Sequence, residues 1–180
     1  MKGTRTVRVR KRDGFAEDFD AHKLAGAMWR AMLPRGRYGD AFDLAMAIQL
    51  YLQRTGRRTI SSAAIFEMTV KVLRRVRMNQ AADALEAHRS WRSGRRLRVN
   101  VCDGGSRGAR WNKGWLVRAA ARAWNLSRSA ARIVAGRAEA EVLAGGCDRV
   151  PRDALIERVN VLVSEFGLAD AVPVHRSALK

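Results

Sequence analysis

Three cations, Lys11, Arg12 and Lys23, gather around one turn at Asp13-Gly14. Arg offers a planar fork and Lys a point charge, and both make strong charge-assisted hydrogen bonds to phosphate oxygens. A triphosphate carries enough negative charge to engage all three. Gly14 tolerates the positive φ of a tight turn, so Asp13-Gly14 can present Lys11 and Arg12 together. The competing reading is a solvated basic face. Catalytic signatures are absent: there is no Gly-x-Ser-x-Gly, no His-Glu-x-x-His and no paired-carboxylate pattern. His22, His88 and His175 lack ligand spacing, and Cys102 and Cys147 stand outside any Cys-x-x-Cys pair. The expected chemistry is therefore binding, with no catalytic residue and no metal site. Gly104-Gly-Ser-Arg-Gly108 lacks the Lys-Ser/Thr ending of a P-loop and reads as a hairpin loop.

The chain around these residues has 180 positions and is 47% hydrophobic, enough for a buried core in one medium or two small domains. Its net charge of +18 divides into +10 over residues 1–93 and +8 over 94–180, so the excess is no tail. Such a field favours polyanions: nucleotides, nucleic acid or an acidic protein face. No stretch approaches the roughly 18 apolar residues of a membrane span. The basic N-terminus has no apolar segment behind it, and the expectation is a soluble, cytoplasmic protein.

The elements that must hold the three cations can be read from periodicity. Residues 5–11 alternate β-branched and charged types, as an exposed strand does, and Phe15 to Phe19 can return as its hairpin partner. Asp20 is a suitable N-cap for a helix with Leu24, Ala27, Met28 and Ala31 on one stripe. A second helix from about Asp40 places Leu44, Ile48, Tyr51 and Leu52 on one side and ends at Gly56. Ser61 or Ser62 caps a third with Ile65, Met68, Val72 and Val76, and Asn79 opens a fourth.

Ser93-Gly-Arg-Arg reads as a short basic break, after which the pattern restarts. Leu97-Arg-Val-Asn-Val is strand-like, Asp103-Gly104 repeats Asp13-Gly14, and Trp111-Asn112 follows in place of Phe19-Asp20 after two extra loop residues. The run from Val150 to Glu157 matches Ile60 to Glu67. The expectation is an internal duplication, with domains at 1–93 and 94–180 and a second copy that lacks the fourth helix. Trp111, Trp115 and Trp124 alternate with cations, and their helical spacing favours packing over base stacking.

With the residues arranged this way, the first half resembles an ATP-cone, the nucleotide-binding module of many ribonucleotide reductases and of the ribonucleotide reductase transcriptional repressor. The resemblance covers about residues 7–92. It rests on VRKRDG (Val9 to Gly14), FDAHKL (Phe19 to Leu24), AIQLYL (Ala47 to Leu52), TISSAAIFE (Thr59 to Glu67) and HRSW (His88 to Trp91). It implies a mainly α (α+β) fold, a small β-hairpin lid over a roughly four-helix bundle, repeated in degenerate form in the second half. It also implies a non-catalytic regulator that takes ATP or dATP, with Mg²⁺, and changes self-association or partner binding. Lys11 and Arg12 would reach the triphosphate from the lid and Lys23 from the first helix. Val9 and Glu17 would line the pocket, and Ile48 and Tyr51 would face the base or core. A reductase or a nucleic-acid complex is the implied partner. In the second half Asn100-Val101-Cys102 is expected to replace Arg10-Lys11-Arg12, and Trp115 to replace Lys23. The alternative is a basic nucleic-acid-binding protein with this fold and no working nucleotide pocket.

Overall fold

The computed structural model describes residues 6–11, 14–103 and 108–168. The chain divides into two compact units, Met1–Ser90 and Trp91–Lys180. Among the described residues no helix is long and apolar enough to cross a membrane.

In the first unit β1 (Arg8–Arg10) pairs antiparallel with β2 (Ala16–Asp18), placing Val9 opposite Glu17. Gly14 adopts φ +79°, and its amide donates to the Lys11 carbonyl at 3.0 Å, which reverses the chain between the strands. Helices α1 (Ala21–Met32) and α2 (Tyr38–Arg54) follow, then a strand β3 (Thr59–Ser61), α3 (Ser62–Arg75) and α4 (Asn79–Arg98). Strand β3 runs parallel to β1, so the sheet order is β2-β1-β3. The expected hairpin is thus a three-stranded sheet. Three residues in a stretch rich in turn formers carry too little local signal for a strand, and only the partner β1 makes one of them.

Local capping follows the sequence closely. The Asp20 side chain accepts from the Lys23 amide at 3.1 Å, and the Ser61 hydroxyl accepts from the Ala64 amide at 3.1 Å. Each satisfies one orphan donor of a first helical turn. Asp20→Ala is expected to cost about 1 kcal/mol, seen as a lower urea midpoint with an unchanged slope. The core lies in two layers: Val9, Ile48, Leu52, Ile60 and Ile65 beneath the sheet, and Ala25, Met28, Ala41, Ala45, Leu73 and Ala82 between the helices. In α1 the buried stripe is Ala21, Ala25, Met28 and Met32, not the expected Leu24, Ala27, Met28 and Ala31. Leu24 and Ala27 are half-buried and border a cavity, Leu24 while also packing against the core.

Helix α4 runs through Ser93-Gly94, where a break was expected, and through Leu97 and Arg98, expected as strand. The second unit then builds β4 (Asn100–Cys102), β5 (Gly108–Arg110), α5 (Lys113–Ala123), α6 (Arg128–Ala144), β6 (Arg149–Pro151) and α7 (Arg152–Glu165). Its sheet order, β5-β4-β6, has the same antiparallel and parallel pairings as the first sheet. Residues beyond 168, where a further helix was not expected, lie outside the described residues.

The register corrects one expectation. Val101 pairs with Ala109 and Val150 as Val9 pairs with Glu17 and Ile60. Strand β4 therefore stands in the place of Arg8–Arg10, and Asp103 follows it as Lys11 follows β1. The connection to β5 is no longer than that from β1 to β2. The two Asp-Gly dipeptides are consequently not equivalent, and no extra loop residues are needed before Trp111.

The second core holds Trp111, Leu116, Trp124, Val134, Leu155 and Leu162, and at its edge a fully buried acid, Glu139. Glu139 pairs with Arg92, Arg96 and Lys113 and accepts the Trp111 Nε1–H at 3.0 Å. Arg96 grips it through two hydrogen bonds of 2.8 Å. Burial pushes the carboxyl up, but the Arg96 hydrogen bonds and the charges of Lys113 and Arg96 outweigh that and hold it at about 2.

Candidate functional site

Between the first sheet and helices α1, α3 and α4 lies a cavity of about 230 Å³. One end is charged, with Lys11, Glu17, Asp18, Asp20 and Lys23. The remainder is chiefly apolar, walled by Leu24 and Ala27 of α1, Ile65 and Phe66 of α3, and Leu85 of α4. Ser62 and Thr69 also line it, but the Thr69 hydroxyl is turned back to the Ile65 carbonyl at 2.8 Å. The Phe66 ring carries the Arg89 guanidinium over one face at 4.2 Å.

Both lysines converge on one carboxylate. Lys11 Nζ lies 2.7 Å and Lys23 Nζ 3.0 Å from the same Glu17 oxygen. Lys11 comes from the turn end of β1 and Lys23 from the first turn of α1, held there by the Asp20 cap. Partial burial pushes the Glu17 carboxyl up, but hydrogen bonds and charge from Lys11 and Lys23 prevail and keep it below the usual carboxylate range. Glu17 therefore stays ionised and keeps two ammonium groups aimed at the cavity mouth. Lys11 and Lys23 set two ammonium groups beside an apolar chamber; with Glu17, Asp18 and Asp20 at the same end the five charges sum to −1, so an anionic head on a flat apolar body would be received by the two ammonium groups themselves and not by a positive field.

The expected site residues separate. Val9, Lys11, Glu17 and Lys23 line the cavity. Arg12 lies outside the described residues. Ile48 is in the core beneath the sheet, and Tyr51 is 57% exposed; neither is a lining residue. Periodicity could not mark Ala27, Phe66 and Leu85 as cavity walls, because an apolar residue that lines a cavity and one that packs in a core have the same spacing along a helix. Phe66 left one trace, an aromatic standing one position off the Ile65, Met68, Val72 face.

The second unit handles the same positions differently. By strand register and place in the helix, Asp103, Ala109 and Trp115 stand where Lys11, Glu17 and Lys23 stand in the first. Arg152, at the start of α7, has its Nε 2.6 Å from Asp103 Oδ1 and its guanidinium 5.2 Å from the Trp115 ring centroid. An internal ion pair on an indole replaces the pair of lysines.

Residues 7–96 match the family model of the ATP cone domain. No curated protein matches the chain.

Proposed function

The chain belongs to the ATP-cone family, and on that premise we propose that the cavity of the first unit takes ATP or dATP, with Mg²⁺, as an allosteric effector. Cones of this family are nucleotide-binding regulatory modules without catalysis of their own. The observation that carries the reading is the convergence of Lys11 and Lys23 on Glu17 at the mouth of the apolar cavity. Phosphates would sit against Lys11, Arg12 and Lys23, in the place Glu17 now neutralises. The base would enter between Ala27, Phe66 and Leu85, with Val9 at the floor. Ile48 would support that floor from the core.

The regulatory step follows from where the lysines stand. Lys11 belongs to the sheet and Lys23 to the helical bundle, so one polyphosphate bound to both ties the two together. A ligand that prefers the tied state shifts the population towards it, with self-association or partner binding as the output. A ribonucleotide reductase or a nucleic-acid complex in the cytoplasm is the proposed partner. The second unit, with the same strand order and no lysine pair, is proposed as a degenerate cone kept for packing or assembly.

Calorimetric titration with ATP, dATP, GTP and tripolyphosphate, with and without Mg²⁺, tests the site. One saturable site per chain that prefers adenine is expected, together with a nucleotide-dependent change in elution volume. Binding that ignores the base and fades with salt would reduce the cavity to general basicity.

A further inference from the structure

On the reading that phosphates meet Lys11 and Lys23, we propose that Glu17 is an internal anion that holds the phosphate position of the cavity and lowers its affinity for polyphosphates. Both ammonium groups reach one and the same oxygen, Glu17 Oε1, at 2.7 and 3.0 Å. At those distances an ammonium holds an anionic oxygen. A carboxylate oxygen therefore stands where a phosphate oxygen would bridge the sheet and the first helix.

A ligand cannot use the lysines without meeting that carboxylate. A phosphate oxygen hydrogen-bonded to either ammonium lies within about 6 Å of Glu17 Oε1, since each ammonium is itself bonded to it. Like charges at that separation disfavour one another. Lys23 is 64% exposed and can turn its other N–H donors to a ligand while keeping Glu17. The Lys11 side chain is 21% exposed and has less room to do so.

The neighbouring groups give no relief. Asp18 and Asp20 line the same end, and the Asp20 carboxylate is fixed by the Lys23 amide at 3.1 Å. Partial burial pushes the Glu17 carboxyl up, but the hydrogen bonds and charges of Lys11 and Lys23 bring it below the usual carboxylate range, so it is charged at neutral pH. Three carboxylates and two ammonium groups then face an incoming polyanion. It must draw the lysines away from Glu17 or bind against its charge, and either course weakens binding.

Calorimetric titration of the full chain with tripolyphosphate, ATP and GTP, with and without Mg²⁺, tests this against Glu17→Gln. Gln keeps an oxygen acceptor for the lysines and removes only the charge. The variant is expected to bind metal-free tripolyphosphate at least about tenfold more tightly than the unaltered chain, the Coulomb effect of one unit charge beside a polyanion. With Mg²⁺, which cancels about half of the ligand's charge, the gain should fall to about threefold. Asp43 is exposed on α2 and does not line the cavity, so Asp43→Asn, the same charge change, should alter this affinity less than about twofold. If the Gln variant fails to fold, Glu17→Ala should still tighten metal-free tripolyphosphate binding at least about threefold. The proposal is overturned if removing the Glu17 charge leaves tripolyphosphate affinity unchanged, or weakens it as loss of a group that positions the lysines would. An equal gain in Asp43→Asn overturns it too. Those results in a chain that binds ATP leave the nucleotide reading standing. A tenfold gain for tripolyphosphate without any preference of ATP over GTP would overturn the adenine reading and keep Glu17 as the competitor. If neither chain binds any of the three, both fall.

Discussion

The Lys11→Ala/Lys23→Ala chain is expected to bind ATP or dATP at least about a hundredfold more weakly than the unaltered chain. Each ammonium would make a hydrogen bond to a charged phosphate, an interaction of about 1.5–3 kcal/mol. Lys23 is 64% exposed, so its share belongs at the low end of that range. Two such bonds sum to about 3 kcal/mol, which is roughly a hundredfold. The loss should appear for nucleotide and for tripolyphosphate alike, because both lysines act on the phosphates and not on the base. Calorimetry reads it directly. A double variant that retained near-full affinity would sink the placement of the phosphates at Lys11 and Lys23. An unchanged thermal transition is expected alongside, since both lysines sit at the rim of the cavity and outside the core.

The other large effect lies in the second unit. Glu139→Ala is expected to destabilise it by about 3–5 kcal/mol, the range for breaking a buried ion pair from one side. Three cations, Arg92, Arg96 and Lys113, would face one another without an anion, and the Trp111 indole would lose its acceptor. Glu139→Gln keeps the shape and an acceptor for Trp111 but removes the charge, so its cost should be smaller, about 2 kcal/mol. The same network gives a pH signature. A carboxyl at about 2 in the folded chain against an ordinary 4.5 contributes stability above pH 4.5. That contribution, about 3 kcal/mol, is lost as the pH falls from 4.5 towards 2. Urea denaturation at neutral pH and across that window should show the loss in the unaltered chain and a flatter profile in Glu139→Gln. Glu17 and Glu141 are also held low by their cationic partners, so some slope should remain in the variant.

Much of this molecule is decided within a few residues of each point, and that part is readable from the sequence. Asp20 caps α1 and Ser61 caps α3 because a side-chain oxygen reaches an amide three residues on whatever the rest of the chain does. Gly14 turns the first hairpin because only its backbone tolerates the left-handed region there without strain. Apolar periodicity found the helices, and cation spacing brought Lys11 and Lys23 to one site. Tertiary structure decided the rest. The three residues of β3 become a strand only where β1 offers them a parallel ladder. The walls of the cavity come from three helices, and no one of them encloses it. Strand register, and not the repeated Asp-Gly, fixed which residues of the second unit stand in the places of Lys11, Glu17 and Lys23. Glu139 is an ordinary helical acid until Arg96, 43 positions earlier, closes on it in the fold. Local hydrogen bonds and turn conformations act over a few covalent links, so sequence specifies them. Ladders, cavities and buried charges depend on groups brought together by packing, whose separation along the chain carries no trace of their contact.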